Sequence, residues 1–145
     1  MARPDRLVLD ASGALEAILP SSRQTQTQAF DLLAAIGQRD IGAHVPWVFF
    51  AELAYVVTKA VRMRAPRLTA GEAGDFLGRV DALGLEVDAA DQGSLALHHA
   101  ALRWHCGAYD AIYLGLAQRL GVPLATLDGG MASAARAGGV ELFQE

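Results

Sequence analysis

Cysteine is almost absent: Cys106 is the single one in 145 residues. No internal disulfide can form, and a lone cysteine suits a reducing cytoplasm. No apolar run approaches the ~18 residues that a membrane-crossing helix needs. The opening Met1-Ala-Arg-Pro-Asp-Arg6 leads into only three apolar residues before Asp10, which does not read as a signal peptide. A cytoplasmic location, away from membranes, is the expectation. Metal-ligand spacing of the zinc kind is missing too. His98 and His105 would share a helix face but lie ~10 Å apart along its axis, and one zinc ion cannot bridge that gap. No cysteine–histidine pair stands at a spacing of three or four. There is no internal repeat, low-complexity tract or linker, so residues 1–145 are expected to form one domain.

Apolar residues are abundant, at 52%. A chain of this size can bury roughly 70% of its unfolded surface and so hold a core without staples. The net charge of −4 does not point to a polyanion partner. It is a weak guide, because clustered catalytic acids add negative charge that a metal would cancel locally.

The apolar pattern predicts alternating strands and helices. Strands are expected at Leu7–Ala11, Ile41–Val45, Leu85–Val87, Val122–Leu127 and, as a terminal edge, Val140–Phe143, with Ser12-Gly13 turning the chain after the first. Helices are expected at Ala14–Leu19, stopped by Pro20, and at Gln26–Ile36, with Ala29, Phe30, Leu32, Leu33 and Ile36 as its apolar face. The next runs from Pro46, suited to a first helical position, to about Met63. Thr69-Ala-Gly-Glu72 fits a capping box for a helix that buries Phe76, Leu77, Val80 and Leu83. Further helices are expected from Asp91 to about His105, with Leu95, His98, His99 and Leu102 at helical spacing, at Ala108–Leu120, closed by Gly121, and at Met131–Ala137. Arg62–Pro66 reads as an exposed loop. This alternation implies an α/β fold, a parallel sheet of four to five strands with helices on both faces.

Four acids then occupy strand ends or helix starts: Asp10, Glu52, Asp110 and Asp128. In a parallel α/β fold such positions gather at one rim of the sheet. Strand alternation would turn Ser12 to the side of Asp10 and Thr126 to the side of Asp128. Glu52 is the only charge in the eleven-residue window Trp47–Val57, so it must be paired, protonated or bound to a cation. A buried arginine pair is the structural alternative there, and helix capping is the alternative for the three aspartates. For Asp110, the helix dipole would keep the carboxylate ionised. Two carboxylates about 5 Å apart repel by roughly 3 kcal/mol at an effective dielectric near 20, so a cluster of four needs protons or metal. All-oxygen donors favour Mg²⁺ or Mn²⁺ over zinc, and such a site suits phosphodiester hydrolysis.

These residues carry a family resemblance. Leu7-Val-Leu-Asp10-Ala-Ser12 resembles the opening strand of PIN domains. Pro46 followed by Glu52-Leu-Ala resembles their second motif, Tyr109-Asp110-Ala-Ile-Tyr113-Leu-Gly-Leu-Ala117 the third, and Leu124-Ala-Thr126-Leu-Asp128 the fourth. The resemblance runs from Leu7 to Phe143 and is closest to VapC-type toxins of toxin–antitoxin pairs. It implies a Mg²⁺-dependent ribonuclease held inactive by a small antitoxin, and a homodimer. It carries Asp10, Glu52, Asp110 and Asp128 over as the catalytic and metal-binding acids, with Ser12 and Thr126 as polar support. Gly129-Gly130 departs from the polar or basic residues that many relatives carry after the last acid. A catalytically inactive PIN-like module that binds RNA or protein is the competing class. Leu7-Val-Leu-Asp10 also resembles the first strand of haloacid dehalogenase-type phosphatases, but that chemistry wants Asp-x-Asp, and Ser12 stands at the third position.

Other residues invite a bland reading beside a functional one. Lys59, Arg62, Arg64 and Arg67 form the densest basic run: a solvated helix end, or a contact to RNA phosphates. Trp47, Phe49 and Phe50 could stack bases, with core or dimer packing as the favoured role. Tyr109 and Tyr113 read as core. His98 and His99 read as packing or interface residues.

Overall fold

The computed structural model describes residues 3–89 and 92–144. Four strands form one parallel sheet: β1 (Arg6–Leu9), β2 (Gly42–Pro46), β3 (Glu86–Asp88) and β4 (Leu124–Ala125), in the order β3-β2-β1-β4. Among the described residues, seven helices flank it: α1 (Ala11–Leu15), α2 (Arg23–Gly37), α3 (Phe49–Arg62), α4 (Ala70–Asp81), α5 (Ser94–Trp104), α6 (Ala108–Leu120) and α7 (Gly129–Ala137). Leu7, Val8 and Leu9 are all fully buried. Successive strand residues point to opposite faces, so both faces at β1 are covered, as a parallel sheet requires. Each such side chain contributes about 1.5–3 kcal/mol of hydrophobic stabilisation. The α/β expectation holds, with four strands.

Several boundaries differ from the expectation for physical reasons. β1 stops at Leu9 rather than Ala11, because the Asp10 carbonyl already accepts the Gly13 N–H at 3.0 Å and starts α1. Ser12 and Gly13 are therefore helical, not a turn. β4 is only Leu124–Ala125: the Leu127 N–H is taken by Ser12 Oγ at 3.0 Å and the Asp128 N–H by Thr126 Oγ1 at 3.1 Å, which ends the ladder. The expected edge strand at Val140–Phe143 shrinks to a single parallel bridge, Leu124 to Leu142. Pro46 does not open α3. It closes β2 in register with Asp88, and α3 begins at Phe49. α2 begins earlier than Gln26 because Ser22 caps it, with Thr25 returning the bond.

The Thr69–Glu72 capping box is present, and Gly121 ends α6 in the left-handed conformation at φ 65°, where a Cβ would be strained. Arg62–Pro66 is an exposed loop as α3 ends. The expected start of α5 at Asp91 lies outside the described residues; within them the helix begins at Ser94. Ala29, Leu32 and Ile36 of the predicted α2 face are buried, and Phe30, 55% exposed, is the exception. Leu95, His98, His99 and Leu102 all lie on the open side of α5.

Candidate active site

The carboxyl ends of β1 and β4 meet at one place because the strands pair directly, Leu9 opposite Ala125. α1 packs hard against them. A Cβ on Gly13 would stand 3.0 Å from Leu9 Cδ1 and 3.4 Å from the Ala125 carbonyl oxygen. Glycine at this position lets the first turn of α1 drop onto the strand ends, and that carries Ser12 to Asp10. The expected juxtaposition of Ser12 with Asp10 is met by a helical turn rather than by strand alternation.

Asp10 is buried, and its carboxylate does not cap α1. Its Oδ2 instead accepts the Ser12 hydroxyl at 2.8 Å and the Thr126 hydroxyl at 2.7 Å, and those two oxygens lie 3.1 Å apart. Capping therefore fails as an account of Asp10. It succeeds for Asp128, which is exposed and accepts the Gly130 N–H at 2.8 Å as N-cap of α7. Asp110 lies in the first turn of α6, but Gly107 holds the cap position. Glu52 lies in the first turn of α3, half-buried.

The four acids feel one another. Asp10 is raised above the ordinary carboxylate range by burial first, partly offset by the bonds from Thr126 and Ser12, and raised further by the charge of Asp128. Asp110 is raised by burial, then by Asp10 and Asp128. Those effects outweigh the helix dipole, which on sequence grounds should have held Asp110 ionised. Glu52 is pushed up to about 7, again by burial first, then by Asp10 and in smaller part by Asp110. The structure thus brings all four sequence-selected acids, with Ser12 and Thr126, into one neighbourhood.

No cation answers them. Among the described residues the ion pairs are His44–Glu86 and Arg119–Asp88, and neither involves these acids. The arginine pair considered for Glu52 does not form. Its Oε1 is buried with no hydrogen-bond partner, a costly state for a carboxylate oxygen. Among the described residues, no three Asp, Glu, His or Cys side chains are drawn together tightly enough to chelate one ion. An orphaned Glu52 oxygen and an all-oxygen, all-acidic donor set fit a hard divalent cation.

Sequence reasoning undervalued Tyr113. Its hydroxyl is buried without a hydrogen-bond partner, and burial together with Glu52 and Asp10 pushes its pKa well above the usual phenol range. It stands three residues after Asp110 on α6, hence on the same helix face; that spacing was the available signal. Cys106 also borders the site, its thiol raised by burial and then by Asp110. Tyr109, expected in the core, is 64% exposed, whereas Phe49 is fully buried.

The sequence pattern of the PIN domain family matches residues 7–137. Among solved structures, the chain is similar to the one titled "Crystal structure of PAE2754 from Pyrobaculum aerophilum". The TM-score is 0.66 at 19% identity, covering 90% of this chain and 79% of that one. At that identity the likeness shows the fold alone. Curated proteins offer no sequence match.

Proposed function

The chain belongs to the PIN domain family, and from that footing we propose that it is a metal-dependent endoribonuclease, the VapC-type toxin of a toxin–antitoxin pair. The observation that carries the reading is the convergence of four acids without a protein cation, one of them with an orphaned buried oxygen. Asp10, Glu52, Asp110 and Asp128 would hold Mg²⁺ or Mn²⁺. When bound, such ions lower the pKa of water and neutralise charge on the leaving oxygen.

The remaining tasks belong to the chain itself. Ser12 and Thr126 hold the Asp10 carboxylate in one orientation and anchor the loop that delivers Asp128. Glu52, pushed up to about 7 without metal, holds a proton that a bound cation would displace. Tyr113, buried beside these acids, stays a protonated phenol. The whole of residues 1–145 serves as one nuclease domain in this reading. An inactive binding module is not better supported, since all four acids are present and bear on one another electrostatically.

The partners follow from the surface. No described helix is long and apolar enough to cross a membrane, and the toxin reading places the protein in the cytoplasm. Leu95 and Leu102, 66% and 60% exposed on one side of α5, supply an apolar face for a homodimer. A small antitoxin would present an arginine to the acid rim and neutralise it as a metal does. The complex should then bind Mg²⁺ more weakly than free toxin. The deciding experiment is cleavage of single-stranded RNA by purified protein with Mg²⁺ or Mn²⁺. Full activity in excess EDTA would overturn the mechanism.

A further inference from the structure

We propose that the face of α3 running outward from Glu52 is a track for unpaired RNA, its bases stacking on Trp47, Tyr55 and Tyr109 and its phosphates meeting Lys59 and Arg62. This rests on reading the acid rim as the place of cleavage. The three aromatics are 57%, 67% and 64% exposed. Together with Ala51, Val56 and Glu52 they line a groove of about 650 Å³. A second groove of about 810 Å³ continues along the same helix from Ala51 and Tyr55 to Lys59 and Arg62. Residues 51, 55, 59 and 62 fall on one helix face, and Arg62 stands ~15 Å along the axis from Glu52. The rim and the basic end are thus joined by one continuous surface.

Charge complementarity favours nucleic acid as the occupant. Four acids on their own repel a polyanion, so attraction must come from elsewhere. Lys59 and Arg62 supply it at the far end of the same surface, and Glu52 is the only carboxylate lining either groove. The stretch between is apolar and aromatic, which fits base faces and not phosphates. Duplex RNA hides those faces, so the surface selects unpaired strands. An apolar protein partner would leave Lys59 and Arg62 without a role.

The test is a binding titration of fluorescein-labelled oligouridylate, read by anisotropy and by quenching of tryptophan emission. It is run with wild type in EDTA and with Asp110→Asn in Mg²⁺. Trp104 is 5% exposed and provides an unquenched background, so quenching reports Trp47. Trp47→Ala and Tyr55→Ala should each weaken binding roughly 5- to 100-fold, while Trp47→Phe and Tyr55→Phe retain most of it. Lys59→Ala and Arg62→Ala should each flatten the slope of log Kd against log salt by about 0.7. Phe30→Ala, on α2, should bind like wild type. A blunt RNA duplex should cause no quenching.

Equal binding by all variants, no binding in either arm, or a Trp47 already shielded from iodide before RNA is added would overturn the proposal; the last would mean that protein covers this face. Cleavage that needs Asp10 but ignores Trp47, Tyr55, Lys59 and Arg62 would sink the track and leave the nuclease. Stacking without cleavage in Mg²⁺ or Mn²⁺ would do the reverse.

Discussion

Two groups of acids lie on this one sheet, and they are treated differently. On the β3 side, Asp88 meets Arg119 at 2.8 Å and Glu86 meets His44 at 3.3 Å. Across the strand ends of β1 and β4, Asp10, Glu52 and Asp110 are raised by burial and by neighbouring acids, Asp128 among them, and meet no cation. In the first arrangement Asp88 is answered by a guanidinium and Glu86 has an imidazole nitrogen beside it. The second stores repulsion inside a packed domain. A fold keeps such an arrangement only at a cost in stability, and stability surrendered at a site is the mark of function.

That contrast can be broken most sharply by activity. Asp10→Asn should lower RNA cleavage at least ~10²-fold, since it removes a charged metal ligand, whereas Asp88→Asn should leave the rate unchanged. Steady-state cleavage assays in Mg²⁺ check both, and an active Asp10→Asn protein would end the comparison.

Stability should move in the opposite sense. In EDTA, Asp110→Asn should raise the melting temperature by roughly 2–4 °C per kcal/mol of repulsion relieved, because like charges about 5 Å apart repel by roughly 3 kcal/mol. Asp128→Asn should raise it less, being exposed, with its cap to Gly130 retained by asparagine. Millimolar Mg²⁺ should stabilise wild type and both variants unequally, wild type most. Calorimetry showing variants that melt no higher than wild type without metal would contradict the repulsion.

The pH dependence sharpens the same point. Asp10, Glu52 and Asp110 have folded-state pKa values above their unfolded ones. The native state therefore holds more protons than the unfolded chain, and stability falls as pH rises. For Glu52 the window runs from 4.5 to about 7. Metal-free protein should be more stable near the bottom of that window than above its top, and Mg²⁺ should flatten the slope. Urea melts across that range decide it; stability rising with pH would refute it.

The smallest effect belongs to the paired side. Arg119→Ala should cost at most about 1 kcal/mol, as expected of an exposed ion pair, and should shrink further in high salt. A loss of several kcal/mol would mean that the β3 edge is more than surface pairing.

Much of this was legible in the chain. Strands and helices alternate as the apolar pattern says, and the Thr69–Glu72 box and the Gly121 stop are local signals that work locally. The four acids could be chosen because charged residues at strand ends and in apolar helices need an explanation. The misjudgements have two sources. Phe30 belongs to the predicted apolar face of α2 and Tyr109 reads as core, yet both are exposed, since periodicity identifies an apolar face without saying how far another element covers it. The end of β1 was set too late because the Asp10 carbonyl turns to start α1, and that of β4 because Thr126 and the distant Ser12 take the backbone N–H groups that would have prolonged it.

From residue order alone came the kinds of element, their sequence and the acids worth watching, since propensity, capping and apolar period act over a few neighbours. Through-space arrangement settled the rest. Ser12 and Thr126, 114 residues apart, clamp one oxygen of Asp10 only because β1 pairs with β4 and Gly13 lets α1 close upon them. Glu52 titrates near 7 because burial and Asp10 reach it across the fold. Electrostatics and desolvation depend on distance in space, and distance in space does not exist until the chain has packed.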